Sequence, residues 1–149
     1  MAAAERARTD ATGKWEVQLR KGCLELAILA SLWGGKLYGL EILRRLENGS
    51  GLVVAEGTVY PLLSRLKAEG LLDSEWVEAE AGHPRKYYRL TPLGRKRAAE
   101  MARVWSEFAS SVEDLVAPLQ KRKENVVSGV ALAESRRLSF HPVASFLRS

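Results

Sequence analysis

A chain of 149 residues, 46% of them hydrophobic, suits one ordinary core and is too short to favour two independent domains. Its 23 Lys and Arg against 18 Asp and Glu give a formal charge of +5, with a pI near 9.6, which is compatible with a polyanionic partner without requiring one. One cysteine, Cys23, and two histidines, His83 and His141, exclude an intrachain disulfide and a Cys/His structural zinc site, so neither metal nor cofactor is expected.

Met1 to Gly13 is polar and aperiodic and reads as a flexible arm over residues 1–14. From about Trp15 to Trp33, Leu24, Ala27, Ile28 and Leu32 recur at helical spacing and mark the first core helix, with Cys23 as a small core residue in it. Gly34-Gly35 ends that run. Tyr38 to Leu46 forms a short second helix with Ile42, Leu43 and Leu46 inward, closed by Gly49-Ser50-Gly51. Neither glycine cluster is a phosphate loop, since no Gly-x-x-x-x-Gly-Lys followed by Ser or Thr occurs.

A third helix covers Glu56 to Glu69, with Val59, Leu62, Leu63 and Leu66 as its apolar stripe and Gly70 at its C-terminal stop. Pro61 leaves two starts open: Thr58 is the N-cap, or the helix begins earlier and kinks at the proline. Leu72 to Val77 and Lys86 to Leu90 read as strands of a hairpin whose loop holds Gly82-His83-Pro84. Thr91-Pro92 supplies an N-cap and an N1 proline for a fourth helix that Pro118 is expected to stop. That helix would be about 39 Å long, more than one small domain covers on one side. Its residues Met101, Val104, Trp105, Phe108, Val112, Leu115 and Leu119 continue in near-heptad spacing, so something beyond the monomer's own core is expected to cover them. Residues 119–149 form a C-terminal tail with no assigned role, helical at most around Asn125 to Arg136. No uncharged stretch approaches the roughly 18 residues of a membrane span, and the expected localisation is cytoplasmic.

The fold class expected is mostly α with a small β-hairpin: a winged helix-turn-helix over residues 15–91 and a long C-terminal helix over 92–118. In that arrangement the third helix enters the major groove of DNA and the hairpin lies against the backbone. Opposite the leucine stripe of the third helix stand Thr58, Tyr60, Pro61, Ser64, Arg65 and Lys67, able to donate to base edges and phosphates. Any amphipathic helix shows a polar outer face, so that set alone decides little. The hairpin adds weight, because Arg85 and Lys86 open an acid-free run that continues through Arg89, Arg95, Lys96 and Arg97, directly after the acidic Asp73, Glu75, Glu78 and Glu80.

The segments Leu24-Glu25-Leu26, Tyr38-Gly-Leu-Glu-Ile42, Glu56-Gly-Thr-Val-Tyr-Pro-Leu-Leu-Ser-Arg-Leu-Lys-Ala-Glu-Gly-Leu-Leu72 and Pro84-Arg-Lys-Tyr-Tyr-Arg-Leu-Thr-Pro-Leu-Gly94 closely resemble, in the same order, the PadR family of bacterial transcriptional regulators, in its smaller subfamily. The resemblance spans about Trp15 to Val116 and implies a repressor that binds a palindromic operator as a homodimer. It carries DNA contacts over to Thr58, Tyr60, Pro61, Ser64 and Arg65, to Tyr38, and to Arg85 and Lys86; Lys67 joins them by its place on the helix. It also implies a dimer interface through Met101, Val104, Trp105, Phe108, Val112 and Leu115, and a small aromatic or planar hydrophobic effector, for which Trp105 is the candidate contact.

Two other readings compete. A winged-helix protein-interaction module without DNA binding shares the fold, though the cationic hairpin argues against it. An enzyme using Glu78 and Glu80 near His83 lacks an enclosing pocket to perturb their pKa values, so no catalytic residue is assigned.

Overall fold

The computed structural model describes residues 2–80 and 82–124. The elements run α1 (Ala2–Ser31), β1 (Leu37–Tyr38), α2 (Gly39–Ser50), α3 (Glu56–Ala68), β2 (Leu72–Val77), β3 (Arg85–Leu90) and α4 (Pro92–Glu124). The chain divides into two compact units, Met1–Trp105 and Ser106–Ser149. The first holds the core and the sheet; the described part of the second is the remainder of α4. Residues 125–149, including the stretch given helical character in the tail, lie outside the described residues.

The core is built from the stripes read in the sequence. Leu24, Ile28, Leu29 and Leu32 meet Ile42 and Leu46 of α2 and Val59, Leu63 and Leu66 of α3, all buried, with Leu43 and Leu62 packed at the edge. Three helix boundaries differ from expectation, one of them the end of α2, which runs on from Leu46 through Gly49 to Ser50. α1 begins at Ala2, so the segment expected as a flexible arm is helical. The stretch Ala2 to Gly13 carries no apolar stripe for periodicity to detect; it is alanine-rich and proline-free, which favours helix. α4 passes through Pro118 and continues to Glu124. A proline within a helix removes one backbone hydrogen bond, and the helix can continue past it with a kink.

α3 starts at Glu56 with Ala55 as N-cap, so the earlier of the two starts holds and Pro61 lies within the helix. A third strand joins the hairpin: β1 pairs antiparallel with β3, Leu37 opposite Tyr88 and Tyr38 opposite Tyr87, giving the order β1-β3-β2. The hairpin itself sets Leu72 opposite Leu90, Ser74 opposite Tyr88 and Trp76 opposite Lys86. Tyr88 is buried and Leu90 packs at the core edge, while Arg85 and Arg89 face outward, as alternation requires.

α3, the hairpin and α4 meet at Leu71. At the end of α3, Gly70 takes φ +77°; its amide donates to the Lys67 carbonyl at 3.0 Å and the Leu71 amide to the Leu66 carbonyl at 3.0 Å. This is a Schellman cap with its usual apolar pair, Leu66 and Leu71, both buried. The Leu71 carbonyl accepts from the Thr91 amide at 3.1 Å. Thr91 Oγ1 donates to the Gly70 carbonyl at 2.6 Å and accepts from the Gly94 amide at 2.9 Å, so Thr91 is the N-cap of α4, as its sequence suggests. Gly94 lies so close to Leu71 that a β-carbon there would collide with the Leu71 carbonyl.

Backbone meeting backbone leaves no side chain to give way. Gly94→Ala is therefore expected to destabilise the fold by about 1–3 kcal/mol or more, and Thr91→Ala by about 1 kcal/mol through loss of the cap. Thermal unfolding followed by circular dichroism measures both, and an unchanged midpoint in Gly94→Ala would mean that α4 does not rest on Leu71.

Candidate nucleic-acid interface

The first turn of α2 opens the site. Tyr38 precedes it, and its amide donates to Glu41 at 3.0 Å, satisfying a donor that would otherwise lack a partner. The Tyr38 ring meets Tyr87 edge to face at 5.6 Å, and the Arg85 guanidinium lies over the Tyr38 ring at 4.6 Å. Such contacts hold a cation by its flat face while leaving its N–H groups free to donate elsewhere. Beside Tyr38, a β-carbon at Gly39 would come within 2.6 Å of the Tyr60 ring and hydroxyl, so glycine here lets α3 lay Tyr60 directly on the start of α2.

These groups border an open slot of about 500 Å³ between α2, α3 and the hairpin, lined by Tyr38, Gly39, Leu40, Tyr60, Ser64, Trp76, Arg85, Lys86 and Tyr88. Two cations, three tyrosines, one tryptophan and one serine share it, with no carboxylate in the lining. Burial, with a smaller contribution from Tyr60, raises the Tyr88 phenol above its ordinary pKa, which keeps it neutral. Glu75, on the same strand as Trp76, is bound by Lys36 at 2.7 Å. That hydrogen bond first, and the Lys36 charge second, lowers its pKa, so the pair is intact at neutral pH and is lost as pH falls through the carboxylate range.

Of the residues selected from sequence, Tyr38, Tyr60, Ser64, Arg85 and Lys86 are brought together in the slot. Thr58, Pro61 and Lys67 stand exposed on α3 outside its lining. Arg65 is held elsewhere: its guanidinium donates to Glu25 of α1 at 2.9 Å and to Glu69 at 3.0 Å. The Glu25 hydrogen bond chiefly raises its pKa. A direct base contact from Arg65 would compete with both pairs, which the outer-face reading of the helix could not foresee, because Glu25 lies 40 residues away. Met101, expected at the dimer surface, is half-buried at the edge of its own chain's core. Trp76, Gly39, Leu40 and Tyr88 are the slot residues that the site reading from sequence passed over. The signal for Trp76 was its place opposite Lys86 at the far end of a hairpin longer than the core.

Tyr60 is exposed and its ring can swing aside, so Gly39→Ala is expected to displace it while barely changing stability. Duplex binding should then weaken by about 1 kcal/mol, as for loss of one hydrogen-bonding side chain, with an unchanged melting midpoint; unchanged binding would remove Tyr60 from the interface.

Comparison with known proteins gives a consistent result. The model of the "Transcriptional regulator PadR-like family" matches residues 28–100. A transcriptional regulator of Mycobacterium tuberculosis is 35% identical over 95 residues, covering 64% of this chain and 87% of that protein. Among solved structures, a PadR-like transcription factor from Bacteroides fragilis is 41% identical with a TM-score of 0.57, over 68% of this chain and 98% of its own. A PadR family transcriptional regulator from Eggerthella lenta is 32% identical with a TM-score of 0.67, over 74% and 96%.

Proposed function

The chain belongs to the PadR-like family of transcriptional regulators, and we propose that it is a repressor that binds a palindromic operator as a homodimer, α3 entering the major groove and the hairpin lying on the backbone. Family membership makes it a regulator and not an enzyme. The observation that carries the DNA-binding reading is the slot: five residues chosen from three separate stretches of sequence line one carboxylate-free surface. Such a surface suits phosphate and base-edge contacts, and it disfavours the reading as a protein-interaction module. No described helix is long and apolar enough to cross a membrane.

The dimer reading is supported by the exposed apolar side chains of α4. Val104 and Trp105 in the first unit, and Phe108, Val112 and Leu115 in the second, are all exposed, and a second copy is the simplest cover for such a stripe. Two recognition helices related by a two-fold axis then require half-sites about 10 base pairs apart, centre to centre, or a multiple of that. Trp105 also supports a planar aromatic effector, as does an apolar recess of about 540 Å³ lined by Leu26, Ala30, Trp33, Ala98, Ala99 and Ala102. Such a ligand releases DNA only if it binds the released state more tightly.

Replacing Arg85 and Lys86 together with alanine is expected to weaken binding to all duplexes and to flatten the dependence of log K on log salt by about one to two units. An unchanged slope would place the phosphate contacts elsewhere. Replacing Phe108 and Val112 with Asp is expected to turn the dimer into monomer or aggregate, read by mass measurement at micromolar concentration; an unmodified protein that is already monomeric there would remove the dimer.

A further inference from the structure

Trp76 is the slot residue that the assigned contacts leave without a task. Side chains alternate along β2, so Leu72, Ser74 and Trp76 share one face. Leu72 is buried, Ser74 is half-buried, and Trp76 is 68% exposed. The inner face of the hairpin thus outruns the core, and its last residue is a bare indole. Surface folding gains nothing from that exposure, which suits a contact outside the chain.

Its neighbours say what kind of contact. Lys86, its register partner, holds Nζ 5.8 Å from the indole and 5.7 Å from the Tyr88 ring, so an ammonium group and an apolar plate are presented side by side. Tyr60 and Ser64 of α3 line the same slot. A nucleic-acid strand alternates a charged phosphate with an apolar sugar face, and protein contacts to both set register without reading sequence.

The geometry points to Trp76 as a DNA-contact residue whose indole packs on the deoxyribose of the strand whose phosphates Arg85 and Lys86 hold. The inference rests on the DNA-binding reading and adds to it an apolar, salt-independent contact from the wing. Because no counterion is released by an indole, its loss lowers affinity without altering the salt slope.

The test measures binding of a random-sequence duplex by fluorescence anisotropy across a salt series for the full chain, Trp76→Ala, Trp76→Phe and Lys86→Ala. Trp76→Ala is expected to bind about tenfold more weakly at every salt concentration with the slope of the unmodified chain, in the range of base–aromatic contacts. Lys86→Ala should lower the slope, and Trp76→Phe should keep most of the affinity. Tryptophan emission is expected to be quenched by duplex in the unmodified chain and to change much less in Trp76→Phe, a readout that holds even if the alanine variant folds poorly. Equal affinity of Trp76→Ala and the unmodified chain overturns the inference while leaving DNA binding intact. A fall in slope matching that of Lys86→Ala also overturns it, by making Trp76 a support for Lys86 alone. An unmodified chain that binds no duplex overturns both.

Discussion

Everything that faces the slot depends on the backbone contact between Leu71 and the start of α4. The Leu71 amide closes α3 and its carbonyl receives Thr91, while Gly94 presses against the same carbonyl. One residue therefore joins the end of α3, the entry to β2, the exit from β3 and the first turn of α4. Because Leu72 and Leu90 pair directly beside it, the hairpin cannot swing relative to α3 without breaking this junction. These hydrogen bonds tie the end of α3, the base of the hairpin and the start of α4 together at one residue. A surface shared by Ser64 on α3 and Lys86 on the hairpin needs such a tie, since contacts to a duplex are useful only at fixed spacing.

The first turn of α4 rests on the residue that closes α3, so the two helices share a backbone junction. Arg65 adds a second tie, from α3 to Glu25 of α1. Both partners of that pair are partly exposed, so its contribution to stability is small, and its part is better seen as setting where the guanidinium points.

Much of this was legible in sequence because it depends on local rules. The leucine stripes located three helices, Thr91-Pro92 located the start of α4, and Gly70 located the end of α3. What escaped was set by partners distant in the chain. β1 is only two residues, Leu37 and Tyr38, and exists because β3 lies beside it. The Arg65 to Glu25 pair joins residues of different helices, so a helical projection of α3 alone leaves Arg65 free for DNA. The N-terminal half of α1 escaped for the opposite reason: apolar periodicity needs an apolar stripe, and that segment offers helix-forming residues without one. Trp76 was read as a strand former, which it is; only the register with Lys86 and the reach of the hairpin past the core give it a place in the slot.

The central claim is that the slot between α2, α3 and the wing is the surface that meets DNA. The direct measurement is the change in backbone amide NMR shifts when a duplex is added to the isotope-labelled full chain at moderate salt. The account predicts changes clustered at Tyr38 to Glu41, Gly57 to Ser64, Trp76 and Arg85 to Tyr88, with Leu24 to Leu29 of α1 little affected. Changes confined to α1 and α4, or spread evenly over the charged surface, would contradict it.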